Sequence, residues 1–168
     1  MPSYVDLLAS LPKSTSVATK GSHDAVARPV MPEPFVPPEL RSVDGAGTLG
    51  CPILLISAPG AVGKSTLAAA LASNRNAWVW DLSKLQLGSN SFVGTIAQVF
   101  DAGRLGQILI DLGQGRMLFV LDAFDEAEVL SGWQRIETFV REVWGIVSSS
   151  PHTSIVLLAR SETASLLH

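Results

Sequence analysis

Short apolar runs alternate with longer segments of helical periodicity over the last two thirds of the chain. Residues 53–56 and 117–121 are apolar at every position, as strands buried on both faces of a parallel sheet are. Between such runs apolar residues recur at helical spacing, most regularly over residues 133–147. This alternation predicts an α/β fold in three layers, with helices on both faces of a mainly parallel sheet.

The individual elements follow from the same pattern. The predicted strands are residues 53–56, 77–81, 117–121 and 154–158. The predicted helices are residues 64–73, 92–100, 105–112 and 133–147, with a short helix at residues 4–11 that ends at Pro12. Four strands are expected, and the chain ends before a fifth could follow them.

The first part of the chain differs from the rest in composition. Residues 1–50 contain seven of the ten prolines, five of them within residues 29–40. Prolines at that density exclude helix and favour extended chain. We therefore expect residues 1–49 to be a Pro-rich extension or linker on the surface, and residues 50–168 to be the α/β domain. A peptide ligand for an aromatic groove in a partner domain is the alternative.

Composition narrows the class of protein. With 168 residues, 47% of them hydrophobic and 16% charged, the chain is suited to one packed domain rather than to disorder. A net charge of −3 argues against a protein that tracks nucleic-acid phosphates. The single cysteine, Cys51, forms no internal disulfide, and no apolar run approaches the roughly 20 residues of a membrane span. A secretory signal is lacking, so we expect a cytoplasmic protein.

The strongest chemical signal is Ala-Pro-Gly-Ala-Val-Gly-Lys-Ser at residues 58–65, between an apolar strand and a helix. It resembles the phosphate-binding P-loop, with Ala58 in place of the first glycine. Such a loop turns backbone N–H groups toward an anion at the positive end of a helix. Lys64 would reach the β- and γ-phosphates, and the Ser65 hydroxyl would bind Mg²⁺. The predicted nucleotide-binding residues are Pro59, Gly60, Ala61, Val62, Gly63, Lys64, Ser65 and Thr66.

Acidic residues follow the strand at residues 117–121. Asp122 comes directly after it, at the carboxyl end where ligands lie in open α/β sheets, and is predicted to bind Mg²⁺ together with Ser65. Asp125 or Glu126 would orient or deprotonate an attacking water. Both could instead merely complement the start of a helix. Asp111 competes with Asp122 for the metal, but the run before it fits helical spacing better.

Arg160 ends the last predicted strand and is the third candidate catalytic residue. A cation there could contact a γ-phosphate and stabilise its charge, or could simply be a surface arginine. The Asn-Lys-x-Asp motif that reads guanine is absent, and the only Asp-x-x-Gly, at residues 44–47, precedes the loop. ATP is therefore the predicted nucleotide.

Three segments together resemble the NACHT-type NTPases of the STAND class: residues 58–65, 118–126 and 155–160. In that family a small residue follows the magnesium-binding aspartate, and an acidic pair lies three and four positions beyond it. Ala123, Asp125 and Glu126 match this arrangement. The resemblance implies Mg-ATP binding, slow hydrolysis, and use of the nucleotide state to control self-association in signalling or defence.

The resemblance covers only the first part of that NTPase module. The chain ends eight residues after Arg160, before the family's fifth strand and lid. A longer chain or further copies are therefore the expected partners. Two other functions remain open, namely a non-catalytic interaction or assembly module on the same fold, and a small-molecule or nucleotide kinase. The kinase is less favoured because no Arg-rich lid segment is evident.

Overall fold

The computed structural model describes residues 2–41 and 49–164, so the Asp-x-x-Gly at residues 44–47 lies outside it. Within the described residues the strands are β1 (Val26–Ala27), β2 (Ile53–Ala58), β3 (Trp78–Asp81), β4 (Phe119–Asp122) and β5 (Ile155–Arg160). The helices are α1 (Tyr4–Ser10), α2 (Lys64–Arg75), α3 (Ser91–Val99), α4 (Leu105–Gly113), α5 (Phe124–Ser131), α6 (Trp133–Val147) and α7 (Ser161–Ala164).

The five strands form one sheet in the order β1-β3-β4-β5-β2. All neighbouring strands are parallel except β1, which runs antiparallel to β3. The predicted α/β class with a mainly parallel sheet is confirmed. Because the strand next to β2 is β5, the last strand in the chain lies between β2 and β4.

Two hydrophobic layers cover the sheet, one on each face. Successive residues of β4 point to opposite faces, so Phe119 packs among α3, α4 and α6 while Val120 packs against α1 and α2. The first layer is aromatic: the rings of Trp80 and Phe92 are stacked with centroids 5.0 Å apart. The second layer is aliphatic and includes the fully buried Leu71 of α2. The helices are thereby fixed on both sides of the strands.

The N-terminal segment takes part in this fold. Leu7 of helix α1 and Leu11 just after it pack into the aliphatic layer, and β1 pairs with β3 at the edge of the sheet. Buried Ser14 accepts a hydrogen bond from the backbone N–H of Leu118 at 3.1 Å. The segment therefore supplies a fifth strand that the sequence does not predict, because β1 has only two residues and its periodicity cannot be recognised.

Helix α5 is not among the predicted helices, although the start of a helix at Asp125 and Glu126 is one of the two interpretations of that acidic pair. Its last turn exposes Val129 and Leu130, which are 86% and 69% accessible, so its apolar residues do not mark a single buried stripe. The N-cap of the helix is Ala123, whose left-handed φ of 60° turns the chain sharply out of β4. This turn positions Asp125 and Glu126, which lie in the first turn of α5.

The parallel strands begin at one edge of the sheet, which we call the amino edge. Polar groups at this edge are buried and hydrogen-bonded within the protein. The buried Ser154 hydroxyl donates to the Leu112 carbonyl at 2.5 Å. Gly115 has a φ of +68°, and a Cβ there would lie 2.8 Å from both Ser150 Oγ and His152 Cβ. The opposite ends of the parallel strands form the carboxyl edge. No helix in the described part of the chain is long and apolar enough to cross a membrane.

Candidate functional site

A cleft of about 240 Å³ opens at the carboxyl edge, between the start of α2 and the ends of β4 and β5. Three parts of the chain separated by many residues meet there. Its lining residues are Ala61, Val62, Gly63, Lys64, Ser65, Thr66, Asp122, Ala123, Glu126 and Arg160. Six of the eight predicted nucleotide-binding residues therefore line it. The other two, Pro59 and Gly60, lie just before them in the same loop.

Two left-handed residues shape the loop between β2 and α2. Ala61 has a φ of 60° and Gly63 a φ of 83°. Gly63 is the N-cap of α2 and makes no side-chain cap. The N–H groups that open a helix have no partners within it, and at the start of α2 no N-cap side chain accepts them. The start of a helix of this kind suits an anion. The Lys64 ammonium donates to the carbonyl of Pro59 at 3.3 Å, which holds the cation beside the loop.

Strand order determines where Arg160 lies. It is paired in register with Ala58, the last residue of β2, and its strand separates β2 from β4. The guanidinium is therefore placed between the loop and the acidic residues that follow β4. A Cβ added at Gly60 would lie 3.9 Å from Arg160 Nε, which shows how closely the loop approaches this side chain.

The two candidate water-activating residues have different surroundings. Asp125 is buried, and its two carboxylate oxygens accept the backbone N–H of Arg160 at 2.9 and 3.0 Å. It joins α5 to the end of β5 and does not line the cleft. Glu126 is exposed, lines the cleft, and has Oε1 3.6 Å from Arg160 Nη2. Of the pair, only Glu126 faces the space where a ligand would lie.

Asp122 lies in the cleft with Ser65, as predicted from the sequence, whereas Asp111 does not. Asp111 belongs to α4 and forms an ion pair with Arg116 at 2.6 Å near the amino edge. It therefore cannot share a ligand with Lys64. The fold itself thus removes the competitor for the metal-binding role.

The oxygen donors in the cleft suit a hard divalent cation. The Ser65 hydroxyl and the Asp122 carboxylate are ligands of the kind that Mg²⁺ prefers, and Asp122 is only 9% accessible. Among residues 2–41 and 49–164, no group of three or more His, Cys, Asp or Glu side chains could hold a metal by itself. A magnesium ion here would need further oxygens from a phosphate and from water.

The cysteine near the start of β2 is not part of this chemistry. Cys51 Sγ donates to the carbonyl of Ile53 at 3.0 Å, and burial raises the pKa of its thiol. A raised thiol pKa keeps the sulfur protonated near neutral pH, which makes it a poor nucleophile. We therefore assign it no catalytic role.

A second cavity, which we call the side groove, has a volume of about 390 Å³ and adjoins the cleft. One wall comes from the Pro-rich segment, and the other from β2, the loop and α2. Its lining residues are Phe35, Val36, Pro38, Glu39, Leu40, Ile56, Ser57, Ala58, Pro59, Val62, Gly63, Lys64, Thr66 and Leu67. The sequence analysis does not predict it, because its walls are separated in the chain; Phe35 among the prolines is the only local signal.

Comparisons of the chain with protein-family models, with curated proteins and with solved structures each returned no match.

Proposed function

We propose that the chain is the nucleotide-binding core of a NACHT-like ATPase of the STAND class, which binds Mg-ATP and hydrolyses it slowly as a signalling or defence switch. One observation supports this most directly. Four residues that the sequence motifs single out line one cleft at the carboxyl edge. They are Lys64 with its ammonium, Ser65 with its hydroxyl, the buried Asp122 and the exposed Glu126. That edge is where open α/β sheets bind ligands.

Nucleotide binding would rely on the loop between β2 and α2 acting as a P-loop. The N–H groups at the start of α2 and the Lys64 ammonium would hold the phosphates, with the lysine exchanging its contact to Pro59 for a phosphate oxygen. Ser65 and Asp122 would hold the magnesium ion. When bound, that ion would neutralise charge on the phosphate oxygens.

Hydrolysis would depend on Glu126 and Arg160. Glu126 would orient the attacking water or accept its proton, and Arg160 would contact the γ-phosphate. Asp125 is a positioning residue in this mechanism, because it holds the backbone of Arg160 rather than facing the cleft. The ion pair between Glu126 and Arg160 occupies both groups at once, which favours a slow enzyme.

The same ion pair favours one alternative, a non-catalytic interaction module that binds nucleotide without turning it over, because a Glu126 carboxylate paired with Arg160 does not activate a water. Both side chains are about half exposed, so their attraction is weak, and a phosphate that displaced it would favour the ATPase instead. Binding with no turnover would identify this alternative. Adenine preference, self-association and a cytoplasmic location stay predictions from the sequence.

Calorimetric titration of the full chain with Mg-ATP and Mg-GTP tests the proposal. ATP should bind more tightly, and Lys64→Ala should lose about 1.5–3 kcal/mol of binding free energy with a charge-assisted contact. Lys20→Ala is a matched control, because Lys20 also donates to a backbone carbonyl, that of Ala97 at 3.0 Å, but lies outside the cleft. If Lys64→Ala bound Mg-ATP as tightly as the unmodified chain, Lys64 would have no role in phosphate binding. If Mg-GTP bound more tightly than Mg-ATP, the preference for adenine would be wrong.

A further inference from the structure

We propose that Asp81, at the end of β3, positions a magnesium ion in the cleft by accepting a hydrogen bond from one of the waters bound to it. Asp81 is a positioning residue in this role, because it acts through a water and is not a ligand of the metal. This inference rests on the proposed function. It goes beyond it by adding a second carboxylate to the metal site, from a strand that carries none of the sequence motifs.

Sheet register places the carboxylates of Asp81 and Asp122 side by side. The two residues are paired across the parallel strands β3 and β4, and neighbouring strands lie about 4.8 Å apart. The preceding residues, Trp80 and Leu121, point into the aromatic layer. Because side chains alternate along a strand, both aspartates point to the other face, on which α2 packs. Asp81 is therefore on the same side of the sheet as the helix that begins at the cleft.

One oxygen of the Asp81 carboxylate is fixed and the other is available. Oδ1 accepts the backbone N–H and the hydroxyl of Ser83 at 3.1 and 2.5 Å, which caps a short 3₁₀ helix (Leu82–Lys84). Within the described residues Oδ2 accepts no hydrogen bond and lies 3.5 Å from the Lys84 ammonium. That ammonium is more than half exposed and also donates to the carbonyl of Asp24 at 3.4 Å. The ion pair is therefore weak, and Oδ2 can accept a hydrogen bond from water.

The N-terminal segment holds the backbone of Asp81 in place. The Asp81 N–H donates to the carbonyl of Ala25 at 2.7 Å, and β1, which follows directly, pairs with β3. With Ser83 fixing the side chain as well, the carboxylate is oriented before a metal arrives. An acceptor oriented in advance loses less conformational entropy on binding.

Magnesium chemistry gives such an acceptor a use. In proteins Mg²⁺ usually keeps several of its waters and takes only one or two carboxylates directly. Acceptors beyond the direct ligands orient those ligands and raise the affinity for the metal. Glu126 is exposed at the cleft but is paired with Arg160. Asp81, beside Asp122 and with Oδ2 available, is the better placed acceptor for a metal-bound water.

Calorimetric titration of the full chain with ATP, once in Mg²⁺ and once in EDTA, tests this role. The ratio of the two affinities measures the contribution of the metal. Asp81→Asn keeps an oxygen to cap the 3₁₀ helix but removes the charge. The ratio should fall about 3-fold, less than for loss of the direct ligand Asp122, because the contact passes through a water. Affinity in EDTA should be unchanged or slightly higher, since one carboxylate fewer repels the phosphates.

Asp101→Asn is the matched control. Asp101 caps another short 3₁₀ helix (Ala102–Arg104) in the same way, by accepting the N–H of Gly103 at 2.9 Å, but it belongs to no strand of the sheet. The ratio should be the same as in the unmodified chain. A merely structural role of Asp81 would lower stability, as measured by thermal denaturation, and would leave the ratio unchanged.

A variant of the neighbouring lysine keeps the test independent of folding at Asp81. Lys84→Met removes the cation that shares Oδ2, so the ratio should rise about 2-fold. Lys20→Met also removes a lysine that donates to a backbone carbonyl, and should leave the ratio unaltered. If Asp81→Asn does not fold, an unchanged ratio in Lys84→Met would overturn the inference.

The outcomes separate this inference from the proposed function. A ratio that stays the same in both Asp81→Asn and Lys84→Met would overturn the role of Asp81 and leave ATP binding at the loop intact. Slower turnover in Asp81→Asn at an unchanged ratio would also overturn it, because Asp81 would then act on the attacking water. Failure of the unmodified chain to bind ATP in either solution would overturn the proposed function and this inference together.

Discussion

Polar side chains have different surroundings at the amino and carboxyl edges of the sheet. At the amino edge the hydroxyls of Ser14 and Ser154 are buried and hydrogen-bonded to backbone. At the carboxyl edge the charged ends of Lys64, Glu126 and Arg160 face a cleft. The parallel strands therefore begin at an edge where polar side chains are buried and hydrogen-bonded, and they end at an edge where charged side chains face a cleft.

The residues that adopt left-handed backbone differ between the edges. At the amino edge they are Gly115, which has no side chain to strain, and Asn76, a residue type that adopts this conformation readily. At the carboxyl edge two alanines, Ala61 and Ala123, are left-handed with a φ of 60°. A non-glycine residue in that region costs on the order of 1 kcal/mol or more. The fold tolerates this cost where the turns carry the cleft residues.

The largest expected effect is at the amino edge. Gly115→Ala should lower the free energy of unfolding by about 3 kcal/mol, because it combines left-handed strain with a steric clash against packed atoms. Chemical denaturation followed by circular dichroism measures this. Gly106→Ala in α4 is the control, since nothing lies within 4 Å of a Cβ there, and it should be neutral or slightly stabilising. Similar results for the two variants would mean that the amino edge is not rigidly packed.

Next in size is a change in turnover at the carboxyl edge. Glu126→Gln should reduce the rate of ATP hydrolysis by about 100-fold, the typical contribution of a general base, while affinity stays within about 2-fold. A single-turnover assay at high protein concentration measures the rate. Glu128→Gln changes a glutamate on the same helix that does not line the cleft, and should leave the rate unaltered. A rate loss in Glu128→Gln alone would exclude the assigned role.

A smaller effect distinguishes Asp122 from Asp111, which are both buried. Asp122→Asn should weaken ATP binding about 10-fold in the presence of Mg²⁺ and hardly at all in EDTA, because it loses a charged metal ligand. Asp111→Asn weakens the ion pair with Arg116 and should lower stability without changing the effect of magnesium. If both variants responded equally to EDTA, the metal-binding role would not be specific to the cleft.

The smallest expected effect tests the strain in the loop. Ala61→Gly should raise the free energy of unfolding by about 0.5 kcal/mol, because relief of left-handed strain slightly exceeds the added entropy of the unfolded chain. Ala69→Gly within α2 should change it in the opposite direction, by about 1 kcal/mol. Thermal denaturation of the two variants provides the comparison, and a loss of stability in both would show that Ala61 is unstrained.

Sequence reasoning succeeds where a signal is local. Apolar runs predict β2, β4 and β5, and the spacing of Lys64 and Ser65 after a strand predicts where the cleft begins. It does not separate Asp125 from Glu126, which are adjacent in the chain and equally acidic. The structure shows that the Asp125 carboxylate is occupied by the backbone N–H of Arg160 and by its guanidinium, with Nε 3.8 Å from Oδ2. The side groove is missed for a related reason, since its two walls meet only after the chain has folded.

The anchoring of the N-terminal segment has a consequence for the order of folding. Ser14 and Thr15 bond to Leu118 and Arg116, which are 104 and 101 positions further along the chain. Closing loops of that length is slow, and the contacts cannot form until β4 exists. During synthesis this segment leaves the ribosome before β4 and docks only after it. Until then the edge of β3 that receives β1 is uncovered, and an uncovered strand edge is open to pairing with another chain.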